Sequence, residues 1–310
     1  MLNAELLYDQ EKYGKLNVLF PDRIPSLGSQ KNMKSFLISR FLSELKGKEI
    51  DYLDVGCGYG EFVFLTAPYV RSALGFDISQ NAVRIAKSIT KHLGQNNCEF
   101  RVHNASLPFE LNQKFDLITC FDVLEHLIDP KHVITNILEL LNPNGICVFT
   151  TGFYHRLNLR TIRYFFASMN DRQKLESWLA ELKQNYGLDK KNELTIADAY
   201  AYHFHNFRDD FFRKIACEQS MKLSFLYKPA FLSEIWDFSR FVIKGILKKR
   251  KLDFHSCQQE RMSSTVQLWP NPKGVFQKFK ANFQFAIALL DCFLVGSIVK
   301  GPGGFIIYRK

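Results

Sequence analysis

Residues Asp51 to Phe62 read DYLDVGCGYGEF, and the rest of the chain is arranged around this stretch. The apolar run that ends at Val55 is typical of a buried β-strand, and glycines follow at alternate positions, Gly56, Gly58 and Gly60. A helical pattern begins directly after the last of them. A strand, a tight glycine turn and the start of a helix, in this order, allow a ligand to approach bare backbone.

A second apolar strand, Ser72 to Phe76, is followed by Asp77, 23 residues after Asp54. A carboxylate in that place is suited to binding the two hydroxyls of a ribose. The dinucleotide-binding pattern G-x-G-x-x-G needs its third glycine where this chain has Glu61. Asp54 would repel a pyrophosphate, but it would attract a ligand that carries an ammonium and a sulfonium. The pattern therefore disfavours a nicotinamide dehydrogenase.

Three further motifs follow in order. They read GFDIS (Gly75–Ser79), FDLITCFDVLEHL (Phe115–Leu127) and LNPNGICVFTT (Leu141–Thr151). With the glycine stretch, they resemble the core motifs of the class I S-adenosylmethionine (SAM)-dependent methyltransferases, and in particular small-molecule and glycan O-methyltransferases. The resemblance implies an α/β fold built on a doubly wound, seven-stranded Rossmann-like sheet. It also implies an antiparallel last strand, helical insertions, and SAM as the cofactor, with S-adenosylhomocysteine (SAH) as its product.

Alternating strand and helix patterns predict the elements of this sheet. We expect strands near 50–55, 73–77, 98–103, 115–121, 145–151, 222–228 and 304–310, and core helices near 31–45, 60–69, 79–93 and 130–141.

The same patterns divide the chain into four parts, and the resemblance implies the roles of two of them. We expect an N-terminal arm and helix (1–48), a core (49–151) that the resemblance implies binds SAM, an insertion (152–201) where related enzymes roof the acceptor, and the end of the sheet (202–310). The last part contains a long insertion, 229–303, between the final two strands. Such an insertion is tolerated because the entropy of loop closure grows slowly with length.

Charge is distributed unevenly along the 310 residues. The chain has a net charge of +10, of which residues 231–310 contribute +8. Residues 238–252 combine a helical apolar pattern with a KKRK cluster, which is compatible with docking on an anionic membrane surface. A plain solvated basic face is the alternative. Nucleic acid is disfavoured as a partner, because no recognition module accompanies the charge.

The apolar stretch Phe283–Val299 is too short, and with Asp291 too polar, to span a membrane. We expect it to be buried against the last strands or to lie shallowly on a membrane. The seven cysteines show no C-x-x-C spacing and no signal peptide opens the chain, which predicts a reducing, cytoplasmic location. Any membrane contact is expected to be peripheral, at the inner face of the membrane.

The resemblance assigns cofactor contacts to the strand ends. It implies backbone contacts to the methionine part at the glycine turn, ribose contacts at Asp77, and adenine contacts at Ile78 and at Asn104, whose amide oxygen can accept a hydrogen bond. The predicted cofactor-binding residues are Asp54, Gly56, Cys57, Gly58, Gly60, Asp77, Ile78, Asn104, Ala105 and Phe121.

The catalytic residues are expected after the fourth strand. Asp122 should lie near the methionine end of the cofactor and the acceptor. His126 is a candidate general base, since the pKa of an unperturbed imidazole lies near neutrality.

The sequence D-x-x-E-H at Asp122, Glu125 and His126 also resembles the E-x-x-E-H metal site of some O-methyltransferases, with His203 or His205 as a fourth ligand. The leading acid is one methylene shorter here, and many metal-free members carry the same E-H pair. We therefore expect no divalent metal.

These observations predict a SAM-dependent methyltransferase that acts on an oxygen of a sugar, glycan or lipid-linked small-molecule acceptor. One alternative is a ubiquinone-type enzyme that methylates a polyprenyl phenol. Another is a SAM-binding scaffold that does not catalyse.

Overall fold

The computed structural model of the chain describes residues 22–30, 32–45, 47, 49–152, 204–205, 207–228, 275–290, 292–293 and 303–310, with short pieces at 18–19, 176–177, 180 and 266–267. The predicted acceptor roof lies outside these residues, apart from residues 152, 176, 177 and 180. The predicted basic helix at 238–252 and His203 also lie outside them.

Seven strands form one mixed sheet. In chain order they are β1 Asp51–Val55, β2 Ser72–Asp77, β3 Cys98–Val102, β4 Phe115–Phe121, β5 Leu141–Gly152, β6 Lys222–Lys228 and β7 Gly303–Arg309. Their order in the sheet is β3-β2-β1-β4-β5-β7-β6. Strand β7 runs antiparallel to both of its neighbours, β5 and β6, while the other pairs are parallel. The predicted fold class is confirmed.

Helices cover both faces of the sheet, because the side chains of β1, β4 and β5 are apolar on both faces and both must be shielded from water. The helices are α1 Met33–Glu44, α2 Glu61–Thr66, α3 Gln80–Leu93, α4 Pro130–Glu139, α5 Asp209–Glu218 and α6 Val275–Leu290. Helices α1, α2, α3 and α6 pack on one face of the sheet, and α4 and α5 pack on the other.

Side-chain caps fix where the helices begin. The Ser79 hydroxyl accepts a hydrogen bond from the Ala82 N–H at 2.9 Å, so α3 begins immediately after β2 ends. Asp129 caps α4 in the same way by accepting from the His132 N–H at 3.1 Å. These caps satisfy amide groups that a helix start leaves open. They also direct the helix N-termini to the carboxyl ends of the strands, where ligands bind in such sheets.

Two elements differ from the prediction. Strand β5 begins at Leu141 and not near residue 145, because Leu141 already pairs with Phe115. A register shift follows, after which Ile146 pairs with Leu117. An apolar C-terminal helix begins at Val275, eight residues before the apolar stretch that starts at Phe283, because its first turns mix apolar and basic residues. No helix in the described parts of the chain is long and apolar enough to cross a membrane.

Candidate active site

The glycine turn after β1 is tied to the end of β2. The N–H groups of Gly56 and Cys57 both donate to the carbonyl of Phe76, at 2.7 and 2.9 Å. Gly56, Gly58 and Gly60 all have positive φ, at +78°, +54° and +86°. Side chains other than glycine adopt this region at a cost, so the turn needs glycine for its backbone shape.

Asp77 connects the glycine turn to the start of α3. Its side chain is 7% exposed. One carboxylate oxygen accepts from the Gly58 N–H at 2.7 Å, and the other accepts from the Ser79 N–H at 2.9 Å. A carboxylate of this kind is suited to accepting hydrogen bonds from two ribose hydroxyls. The next residue, Ile78, is half-buried.

Asp54 is buried beneath the same turn, at 2% exposure. The Thr119 hydroxyl donates to Asp54 Oδ1 at 2.6 Å, and the Tyr52 hydroxyl lies 2.6 Å from that of Thr119. Burial raises the pKa of Asp54 to about 7, and the hydrogen bond from Thr119 and the charge of Lys34 oppose this. A positively charged ligand group beside Asp54 would favour the ionised form of this carboxyl.

The raised pKa predicts a pH dependence of stability. The unfolded chain releases the Asp54 proton near its ordinary pKa of 3.8, but the folded chain releases it only near 7. The folded state therefore binds more protons in this window, and its stability falls as the pH rises from about 4 to 7. We expect the melting temperature of Asp54→Asn to fall less than that of the wild type between pH 5 and pH 8. Parallel profiles would show that Asp54 is already ionised in the folded state.

The Cys57 side chain faces away from the ligand edge. Its sulfur packs so closely on Gly75 that a Cβ added there would lie 2.8 Å from it. Burial raises the pKa of this thiol well above its ordinary value. Cys57 therefore offers only its backbone to a cofactor.

Lys34, on α1, reaches the carboxyl ends of β1 and β4 and was not among the residues predicted from the sequence. Its ammonium lies 2.5 Å from the Asp122 carboxylate. It also lies over the rings of Phe121 and Phe62, 5.2 and 5.8 Å from their centroids. Lys34 thus brings a cation into a region that carries several carboxylates.

Asp122 lies at the mouth of this region, with its side chain 60% exposed. It has a φ of +56°, and Thr150 at the end of β5 holds it there by donating to its carboxylate at 2.7 Å. Strained backbone of this kind is concentrated at functional sites. Phe121, one residue earlier, packs edge-on against Phe62 with ring centroids 5.2 Å apart.

Glu125 lies behind Asp122 and is 6% exposed. Burial and the neighbouring Asp122 charge raise its pKa to about 7. Within the described residues, its Oε2 has no hydrogen-bond partner. A carboxyl that titrates near neutrality at the edge of a ligand site can accept or release a proton during a reaction.

His126 is half-buried at the end of the short helix Leu124–His126. Among the described residues, no three His, Cys, Asp or Glu side chains are arranged to hold a metal ion, so Asp122, Glu125 and His126 do not converge as ligands. His205 is used elsewhere, since its Nε2 lies 3.0 Å from the Ile128 carbonyl.

Asn104 and Ala105 follow β3 beside Asp77. The Asn104 side-chain oxygen accepts from the Ser106 N–H at 2.9 Å, which forms a tight turn. An amide oxygen is the type of acceptor that an adenine amine needs. The structure thus brings together the predicted residues of the β1, β2, β3 and β4 ends, and adds Lys34, Thr119 and Thr150.

Comparison with known proteins agrees with this geometry. A family model described as a methyltransferase domain matches residues 46–201, half of the chain. The chain therefore belongs to the class I SAM-dependent methyltransferases. The glycine turn, Asp54 and Asp77 fit their cofactor, because buried carboxylates and bare backbone amides suit a ribose and an amino-acid ammonium.

The chain is similar to ubiquinone biosynthesis O-methyltransferases. It is 35% identical to that of Coxiella burnetii over 107 residues, 34% of this chain and 44% of the relative. For the enzyme of Pasteurella multocida the identity is 32% over 123 residues, 37% of this chain and 50% of the relative. The matches thus span half or less of these relatives. The crystal structure of the YcgJ protein from Bacillus subtilis is 15% identical and covers 88% of this chain and 97% of its own, with a TM-score of 0.46.

Proposed function

We propose that this protein transfers a methyl group from SAM to a hydroxyl oxygen of a sugar, glycan or lipid-linked acceptor. The observation that supports this proposal is that predicted cofactor-binding groups and proton-accepting groups lie at the same edge of the sheet. The first is the cofactor cradle of Asp54, Asp77 and the glycine turn. The second is the group of proton acceptors that follows β4.

Bound SAM supplies a methyl group that is already activated as a sulfonium. In this proposal the Asp77 carboxylate binds the ribose hydroxyls, and Asp54 lies nearest to the cofactor ammonium. The Lys34 ammonium pairs with the cofactor carboxylate. The protein then has to align the acceptor and exclude water.

Two groups are proposed to act on the acceptor. His126 takes the hydroxyl proton, so that the oxygen becomes a better nucleophile. Asp122, exposed at the mouth of the site and held by Thr150, orients the acceptor. A metal ion is not part of this proposal.

The test begins with calorimetric titration of SAM and SAH, followed by transfer of radiolabelled methyl to sugars, glycolipids and polyprenyl phenols. We expect micromolar cofactor binding and incorporation into one acceptor class. His126→Ala should lower turnover by about 100-fold or more, the usual contribution of a general base, with cofactor affinity unchanged. Turnover of His126→Ala equal to the wild type would remove His126 as the base.

A polyprenyl phenol is the second candidate acceptor. Two observations favour it: the curated relatives named above are ubiquinone biosynthesis O-methyltransferases, and α6 exposes large apolar side chains. Labelling of phenols but not of sugars would select it. Cofactor binding with no labelling of any acceptor would favour a scaffold. A cytoplasmic location and a membrane contact through 238–252 stay predictions.

Replacing Lys34 tests the cofactor cradle. We expect Lys34→Met to weaken both SAM and SAH by about 10-fold or more, because a charge-assisted hydrogen bond contributes about 1.5–3 kcal/mol. Both ligands should be affected equally, since both carry the carboxylate. Calorimetry measures this.

Lys131→Met is the matched control, because it removes another lysine–carboxylate pair, 2.9 Å from Glu218 on the protein surface. It should leave both affinities unchanged. Tighter binding of SAM alone by Lys34→Met would contradict the assignment, since it would mean that the lysine competes with the sulfonium.

A further inference from the structure

Helix α6 has an apolar face on each side. On the inner side, Phe285, Ala288 and Leu289 pack against the core cluster that includes α1. The Phe285 ring meets the Phe36 ring of α1 edge-on, with centroids 6.2 Å apart. These contacts attach the inner side of α6 to the protein core.

The outer side carries large apolar side chains that remain exposed. Phe279 is 66% exposed, Phe283 41% and Leu290 50%. Their spacings of four and seven residues place them on one face of the helix. The rings of Phe279 and Phe283 are stacked, with centroids 6.1 Å apart. A contiguous row of this kind, unlike a single exposed leucine, indicates an interaction surface.

Cations border this row. Lys278 and Lys280 lie on either side of Phe279, about 100° away around the helix axis. Beyond the other end of the row, Arg40 lines a hollow of about 550 Å³ together with Leu290 and Phe293. The surface therefore combines an apolar centre with positive edges.

We propose that this outer face of α6, with Phe279, Phe283 and Leu290 at its centre, docks on the surface of an anionic lipid bilayer. Apolar side chains enter the boundary between headgroups and acyl chains, and the flanking cations meet lipid phosphates. A second copy of the chain, packed on the same face about a two-fold axis, would bring lysine against lysine. A bilayer complements both the apolar row and the charge. The inference does not depend on the proposed methyl transfer.

The test is sedimentation of the full chain with vesicles of phosphatidylcholine alone or mixed with phosphatidylglycerol. We expect binding to the anionic vesicles, reduced at 0.5 M salt because the ionic part is then screened. Phe279→Ser with Phe283→Ser should lower the partition coefficient by about tenfold or more, since two aromatic side chains no longer leave water. Lys278→Glu with Lys280→Glu should lower binding to anionic vesicles only.

Matched variants keep the result specific. Tyr69→Ser removes an aromatic residue of similar exposure, 48%, from a distant turn, and should bind as the wild type does. Lys87→Glu with Lys91→Glu makes the same change of net charge on α3. Circular dichroism confirms that each variant is folded. Equal binding by the Phe279/Phe283 variant and the wild type, no binding to anionic vesicles, or a wild-type dimer that this variant dissolves would overturn the proposal.

Discussion

Asp77→Ala is expected to lower the affinity for both SAM and SAH by about 100-fold or more. The carboxylate is proposed to accept hydrogen bonds from two ribose hydroxyls, and each such charge-assisted bond contributes about 1.5–3 kcal/mol. The loss should be equal for the two ligands, because they share the ribose. Calorimetric titration measures both constants.

The control must separate binding from folding, because Asp77 also holds the Gly58 and Ser79 amides. Asp116 is equally buried at 7%, and it too accepts two hydrogen bonds, from the Asp51 N–H and the Asn142 amide, both at 3.0 Å. It lies at the opposite end of the sheet. Asp116→Ala should lower stability and leave cofactor affinity intact. Wild-type affinity in Asp77→Ala would refute the ribose assignment.

Gly56→Ala is expected to destabilise the protein by about 3 kcal/mol and to abolish cofactor binding at micromolar concentrations. Its φ of +78° costs an alanine about 1–2 kcal/mol. A Cβ at this position would also lie 2.3 Å from Cγ2 of Val123, and such overpacking typically costs about 1–3 kcal/mol. Chemical denaturation gives the stability, and calorimetry gives the binding.

The two contributions can be separated. Val123→Ala removes the clashing methyl, so the nearest remaining Val123 atom lies 3.6 Å away, at ordinary contact distance. The double variant should therefore recover the steric part and keep the backbone strain. Gly94→Ala, with a φ of +63° and nothing within 4 Å of the new Cβ, isolates the strain alone. If Gly56→Ala and Gly94→Ala lost the same free energy of unfolding, the contact with Val123 would make no contribution.

Local sequence patterns predicted the sheet well, because each buried strand is a short apolar run that ends in a polar or glycine residue. Strands β1, β4 and β6 begin within a residue of their predicted positions and end at them. The glycine turn and Asp77 were predictable for the same reason. Their roles depend on neighbours in sequence and on two adjacent strands.

Contacts between distant segments were not predictable. Lys34 and Asp122 are 88 residues apart, and their pair exists only because α1 crosses the carboxyl ends of β1 and β4. Thr119 and Asp54 meet because β1 and β4 are neighbours in the sheet, although 65 residues separate them. The periodicity of an apolar helix likewise does not show which of two apolar faces will be buried. The exposed face of α6 could therefore be identified only from its contacts in the structure.

The position of β7 has a consequence for how the protein is made. This strand separates β5 from β6, and within the described parts of the chain β6 has no other neighbour in the sheet. During synthesis both strands must wait, with open edges, while the ribosome adds the 74 residues from 229 to 302. At about 5–20 residues per second this takes about 4–15 s. Open strand edges template aggregation. The yield of soluble protein should therefore depend on translation rate and on chaperones that shield the nascent chain.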